Sequence, residues 1–217
     1  MCRKISLFRP LLICLLCLFG FGGFSLLVAL GWTVSFDLRL INFIQGLETP
    51  LLTKIMKFFT YLGNPVPLAC ISAMAFILLP VIFRRSAEGI FFAGVLAGSV
   101  LLNETIKQIF RRSRPAFHRI IDIGGFSFPS GHSMAAFSLY GTLAFLLWRH
   151  IRSAAGRGLL LFSSAAMILL IGVSRIYLGV HYPSDVAGGY LAGASWLFFS
   201  IWIGGKLKKD GTISPPG

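Results

Sequence analysis

Hydrophobic and polar positions fall in long blocks along this chain. Leu11 to Leu30 is a run of twenty residues without a charge, and crossing the hydrocarbon core of a bilayer takes about 20 apolar residues. Further windows of this kind cover residues 66–83, 88–110, 130–148, 158–177 and 184–205. The pattern predicts an all-α fold, a polytopic membrane protein of one domain (1–217) with six transmembrane helices. An even number of crossings puts both termini on one side. The first window has a basic flank, as a signal peptide would, but it exceeds a usual h-region and ends without a small-x-small cleavage site. It is read as a retained helix. Between the first two windows, Leu40, Ile44, Leu47, Leu51, Ile55 and Phe58 recur at three- and four-residue spacing. That spacing predicts short interfacial helices, interrupted at Pro50, that cover the bundle. Residues 206–217 read as a basic, disordered tail.

Composition agrees with the block pattern. The chain is 56% hydrophobic and 12% charged, against about 25% charged in a typical soluble domain. The net charge of +13 raises nucleic acid as a partner. However, the basic residues lie in short clusters between apolar runs and not along one solvated face, which argues against it. With the N-terminus cytoplasmic, eleven basic residues lie inside, Arg3, Lys4, Arg84 and Arg85 among them, and nine outside. Six of the nine (Lys107, Arg111, Arg112, Arg114, Arg119, Arg175) belong to or adjoin the clusters described next. Without them the positive-inside rule favours cytoplasmic termini, with those clusters facing outward. The expected location is the plasma or inner membrane. Cys2, Cys14, Cys17 and Cys70 show neither metal-ligand nor disulfide spacing.

Three polar clusters sit at the outer ends of the third to sixth windows. In "KQIFRRSRP", Lys107 and Arg114 are seven residues apart, two helical turns, so both side chains would share a face, with a turn forced at Pro115. In "FPSGHS", Ser130 is a helix N-cap, Gly131 lets a ligand approach the backbone, and His132 stands beside the anion site that a helix start provides. In "SRIYLGVHYPSD", Arg175 ends one helix, His181 lies in a loop, and Asp185 is close enough to hold the ring by its Nδ1 proton, leaving Nε2 as a nucleophile. Two histidines and an aspartate could also ligate zinc. Three nearby cations disfavour a divalent ion and suit a phosphoryl group. Together the parts describe phosphoryl transfer without a metal, in which His181 attacks phosphorus and His132 protonates the leaving oxygen, then activates water.

The pattern K-x6-R-P, P-S-G-H and S-R-x5-H-x3-D resembles the type 2 phosphatidic acid phosphatase (PAP2) family, the lipid phosphate phosphatases related to vanadium haloperoxidases. The resemblance implies His181 as nucleophile, His132 as acid and Asp185 as its support. It implies Lys107, Arg114, Ser130, Gly131 and Arg175 as phosphate ligands, and no cofactor. The small six-helix form is similar to bacterial members acting on phosphatidylglycerol phosphate or undecaprenyl diphosphate. A transporter or flippase that binds a phosphorylated lipid without cleaving it would explain the cations, though not the paired histidines. A vanadate-dependent haloperoxidase would use the same ligand set. Glu104, one turn before Lys107, is expected to pair with it. His118 and His150 read as solvated. "GVLAG" (94–98) and "GYLAG" (189–193) are small-xxx-small patterns that would let the third and sixth windows pack closely.

Overall fold

The computed structural model describes residues 7–83, 86–116 and 118–209. All described secondary structure is helical, in eight helices: α1 (Phe8–Ala29), α2 (Val34–Gln45), α3 (Pro50–Leu62), α4 (Pro65–Phe83), α5 (Ser86–Phe110), α6 (Gly131–Trp148), α7 (Ala154–Tyr177) and α8 (Pro183–Lys209). Each apolar window overlaps one helix, and the stretch between the first two windows forms α2 and α3. The break before Pro50 has a local cause. Thr49 caps α3 by accepting from the Leu52 N–H at 3.2 Å, and Pro50 occupies the first helical position, where its missing N–H costs nothing. The expected tail is partly helical, because α8 runs to Lys209. The rest of the tail, and Arg3, Lys4, Arg84 and Arg85 from the charge count, lie outside the described residues.

The bundle is built for an apolar solvent. Phe19 is 84% exposed, and α1 presents much of its apolar length outward. Ser99, Ser138 and Thr142 are buried instead, with Ser138 Oγ donating to Ser99 Oγ at 2.8 Å between α6 and α5. Among the described residues, four helical stretches are long and apolar enough to cross a membrane: Phe8–Ala29, Ala87–Phe110, Ala154–Tyr177 and Pro183–Leu207. The bent pair α3 and α4, meeting at 54°, would make a fifth. Helix α6 falls short of that standard because it begins Gly131, His132, Ser133 and then buries Ser138 and Thr142 among α5, α7 and α8. A helix so enclosed needs little apolar surface of its own.

Glycines set the closest approaches. A side chain at Gly98 would stand 2.0 Å from the Trp196 ring, whose Nε1 donates to the Val95 carbonyl at 2.7 Å, so α5 lies directly on α8. Gly189 and Gly193 of α8 face the backbone of α6 at Ser130 and Met134. The two small-residue patterns therefore do not meet each other. The first works through Gly98 on α8, and the second packs on α6.

Gly98→Val should destabilise the protein by about 1–3 kcal/mol through overpacking. Gly94→Ala, with nothing within 4 Å of the added carbon, should be near neutral. Thermal unfolding in detergent separates the two.

Candidate active site

The ends of α3, α5, α6, α7 and α8 converge at one end of the bundle. His181 lies in the five-residue link from α7 to α8. That link folds back on its helix, with the Val180 and His181 N–H groups both donating to the Arg175 carbonyl, at 3.2 and 3.3 Å. Gly179 has φ +74, and a side chain there would stand 2.1 Å from the His118 carbonyl oxygen, so two constraints select glycine. The Ile120 N–H donates to the Leu178 carbonyl at 3.1 Å, strapping the α5–α6 loop over this link. The Ser130 N–H donates to the Asp185 carbonyl at 3.0 Å, which fixes the start of α6 beside the start of α8.

His181 is 2% exposed and Asp185 is not exposed at all. The ring has a defined tautomer. Arg114 Nη1 lies 3.0 Å from His181 Nε2, and a guanidinium can only donate, so Nε2 holds the lone pair. The proton then resides on Nδ1, 3.3 Å from Asp185 Oδ2. Burial, opposed by Asp185 and reinforced by Arg175 and Arg114, pushes the His181 pKa down to about 4. Neutral imidazole with its lone pair toward Arg114, and with the charge of Arg175 also acting on it, can act as a nucleophile toward a bound anion. In the resting site Arg114 covers that lone pair, and an incoming phosphate oxygen would have to draw the guanidinium away.

Asp185 is fully engaged. Its Oδ2 accepts from the Tyr182 N–H at 2.8 Å and from the Ser127 hydroxyl, and its Oδ1 accepts from Arg112 Nη1 at 2.7 Å. Arg114 also donates to the Val180 carbonyl at 2.9 Å and to the Gly124 and Gly125 carbonyls at 3.1 Å. Burial lowers its pKa, against the opposing pull of Asp185. The shared helix face expected for Lys107 and Arg114 is corrected here. Helix α5 stops at Phe110, Arg111 takes φ 45, and Arg114 reaches His181 from an irregular loop held by carbonyls. Lys107 stays on the helix, 3.3 Å from Glu104, its expected partner. A side chain at Gly131 would lie 3.5 Å from Lys107 Nζ, so the lysine stands at the start of α6. Ser130 caps α6 from a fully buried position.

Arg175 is 1% exposed and donates from Nη1 to Thr60 Oγ1, while its buried Nε has no partner. An unmet donor on a buried cation is costly unless a ligand completes it. His132 sits against the link between α3 and α4, with Nε2 2.9 Å from Asn64 Oδ1 and its ring over Gly63, where an added side chain would come within 2.7 Å. His118 remains exposed but pairs with Glu48 at 2.9 Å, and His150 Nδ1 lies 3.1 Å from the Leu146 carbonyl. Sequence reading passed over Thr60, Asn64, Ser127 and Asp37 entirely. It counted Arg112 only as one more basic residue, although Arg112 binds Asp185 and Asp37 together. The one available signal was Asp37 itself, the single acid among the twelve residues of α2.

Residues 88–209 match the PAP2 superfamily. Phosphatidylglycerophosphatase B of Bacillus subtilis is 32% identical, over 75% of this chain and 80% of that protein. The putative undecaprenyl-diphosphatase YbjG of Escherichia coli is 36% identical, over 45% of this chain and 48% of that protein. Among solved structures, a transmembrane PAP2-type phosphatidylglycerolphosphate phosphatase from Bacillus subtilis superposes with a TM-score of 0.84 at 26% identity, covering 91% of this chain and 98% of that one. Aquifex aeolicus LpxE gives 0.61 at 27% identity, covering 76% and 93%.

His181 should stay neutral with its proton on Nδ1 at pH 7 and gain charge only near pH 4. Nitrogen-15 spectra of histidine-labelled protein report both. Titration near the ordinary 6.5 would contradict the buried, cation-flanked ring.

Proposed function

The chain belongs to the PAP2 superfamily, and on that footing we propose that it is a membrane lipid phosphatase working through a phosphohistidine. The observation that carries this reading is the buried His181–Asp185 pair, whose unprotonated Nε2 faces Arg114. A transporter that only bound the phosphate would leave this pair without a task, and three of the four relatives compared above are named as phosphatases.

Lys107, Arg114, Arg175 and the free N–H groups at the start of α6 hold the phosphoryl oxygens and neutralise charge that builds in the transition state. Arg175 Nε gains its missing partner in the phosphate. As substrate displaces Arg114 from Nε2, that nitrogen forms a bond to phosphorus and the bond to the lipid oxygen breaks. Asp185 stabilises the positive charge that develops on the ring. His132 gives the leaving oxygen its proton and then takes one from water, whose oxygen bonds to phosphorus as the N–P bond breaks and inorganic phosphate leaves. The free imidazole returns. No step calls for a divalent metal.

The substrate is a membrane lipid with a phosphate monoester or diphosphate at the headgroup, and the names of the relatives support phosphatidylglycerol phosphate and undecaprenyl diphosphate as the chemistry to test. Helices α1 and α4–α8 make six crossings in this reading, with α2 and α3 in the interface. The charge distribution supports cytoplasmic termini and a site on the outer face of the plasma or inner membrane.

Detergent-purified protein should release inorganic phosphate from one of these lipids with a chelator present throughout, and orthovanadate should block it. His181→Ala should lower kcat by about 10⁴-fold or more. Phosphate release that survives this substitution would refute the nucleophile assignment.

A further inference from the structure

Helix α2 lies outside the region that matches the family, residues 88–209, yet it carries a carboxylate with no solvent exposure. Asp37 Oδ1 accepts from the Ser184 N–H at 2.8 Å. Its Oδ2 accepts from the Ser184 hydroxyl at 2.6 Å and from Arg112 Nη2 at 2.9 Å. The other amino group of Arg112 donates to Asp185 Oδ1 at 2.7 Å and to Ser184 Oγ at 2.8 Å, with the guanidinium 4.1 Å over the Tyr182 ring. One guanidinium thus spans two buried carboxylates, and of these Asp185 is the one bonded to His181.

A guanidinium fork pairs best with both oxygens of a single carboxylate. If Arg112 closed on Asp185 in that way, it would take Oδ2, the oxygen that receives the His181 proton. Asp37 holds Nη2 and so confines Arg112 to Oδ1. It also supplies charge. Asp37 and Asp185 together outweigh Arg112, leaving net negative charge behind the imidazole, where it stabilises the ring as Nε2 bonds to phosphorus. Removing Asp37 would cancel both effects in the same direction.

We propose that Asp37 is a positioning residue for phosphoryl transfer, acting through Arg112 to keep Asp185 Oδ2 on His181. This rests on the phosphatase reading above, and it makes the interfacial helix α2 a working part of the site.

The test is steady-state kinetics of Asp37→Asn in detergent with phosphatidic acid, phosphatidylglycerol phosphate and undecaprenyl diphosphate as probes. For each lipid the wild type hydrolyses, kcat should fall about 10–100-fold, as for other residues that orient a reacting group from behind, with KM unchanged. In an Arg112→Met background the same substitution should cost much less, because the route through Arg112 is gone and only the charge of Asp37 is left to lose. Full kcat in Asp37→Asn, or a loss that adds undiminished to that of Arg112→Met, overturns the proposal. Should Asp37→Asn fail to fold, Arg112→Lys carries the test. A single ammonium cannot span both carboxylates, so kcat should fall and KM hold, and an unchanged kcat overturns the proposal. A wild-type protein that releases no phosphate from any probe overturns the phosphatase reading and this inference with it. An active wild type with an indifferent Asp37→Asn overturns the inference alone.

Discussion

The buried carboxylate of Asp185 is the constraint on which the rest of this site depends. An ionised group shut off from water has to collect donors, and leaving one partner out costs about 3–5 kcal/mol. Asp185 collects them from Arg112 and Ser127 in the α5–α6 loop, from the Tyr182 N–H, and from His181. Satisfying this one charge draws the exit of α5, the approach to α6 and the α7–α8 link to the same point. The Ser130 N–H on the Asp185 carbonyl then fixes the start of α6 there too. The His181 imidazole is thus held by the contacts that close the end of the bundle.

The bilayer shapes the remainder. Helices α1 and α4 turn apolar side chains outward, while α6, enclosed by three others, tolerates serine and threonine inside. Contacts at Gly98, Gly189 and Gly193 bring helix axes close enough for side chains at their ends to cooperate. Charge is handled differently at the two ends of the bundle. At one end Arg149 pairs with Glu88 at 2.9 Å. At the other, Arg175 keeps a buried Nε unpaired, a cost that a phosphate oxygen would remove.

Much of the site was legible because its parts lie near one another in sequence or at helix ends. His181 and Asp185 are four residues apart across a helix start, and Ser130 to His132 form one N-terminal turn. The PAP2 resemblance rested on these short motifs, and the family match covers them all. Helix positions were legible from apolar length. What stayed hidden were contacts across long sequence separations: Asp37 to Ser184, Thr60 to Arg175, Asn64 to His132. No periodicity marks such pairs, and apart from Asp37, the single acid of α2, the interfacial members read as ordinary polar positions. The route of Arg114 was also hidden, since heptad spacing suggested a helix where a left-handed residue and glycine carbonyls make a loop. The extent of α8 past residue 205 was missed because lysines at a helix C-terminus resemble a solvated tail, though they suit the helix dipole.

The central claim is that the phosphoryl group passes through His181. Mixing the protein with lipid labelled in its terminal phosphate, quenching in alkali within a turnover and mapping the labelled peptide tests this directly. The account predicts alkali-stable label on the peptide bearing His181. Continued turnover with no label on histidine, or label on another residue, would contradict it.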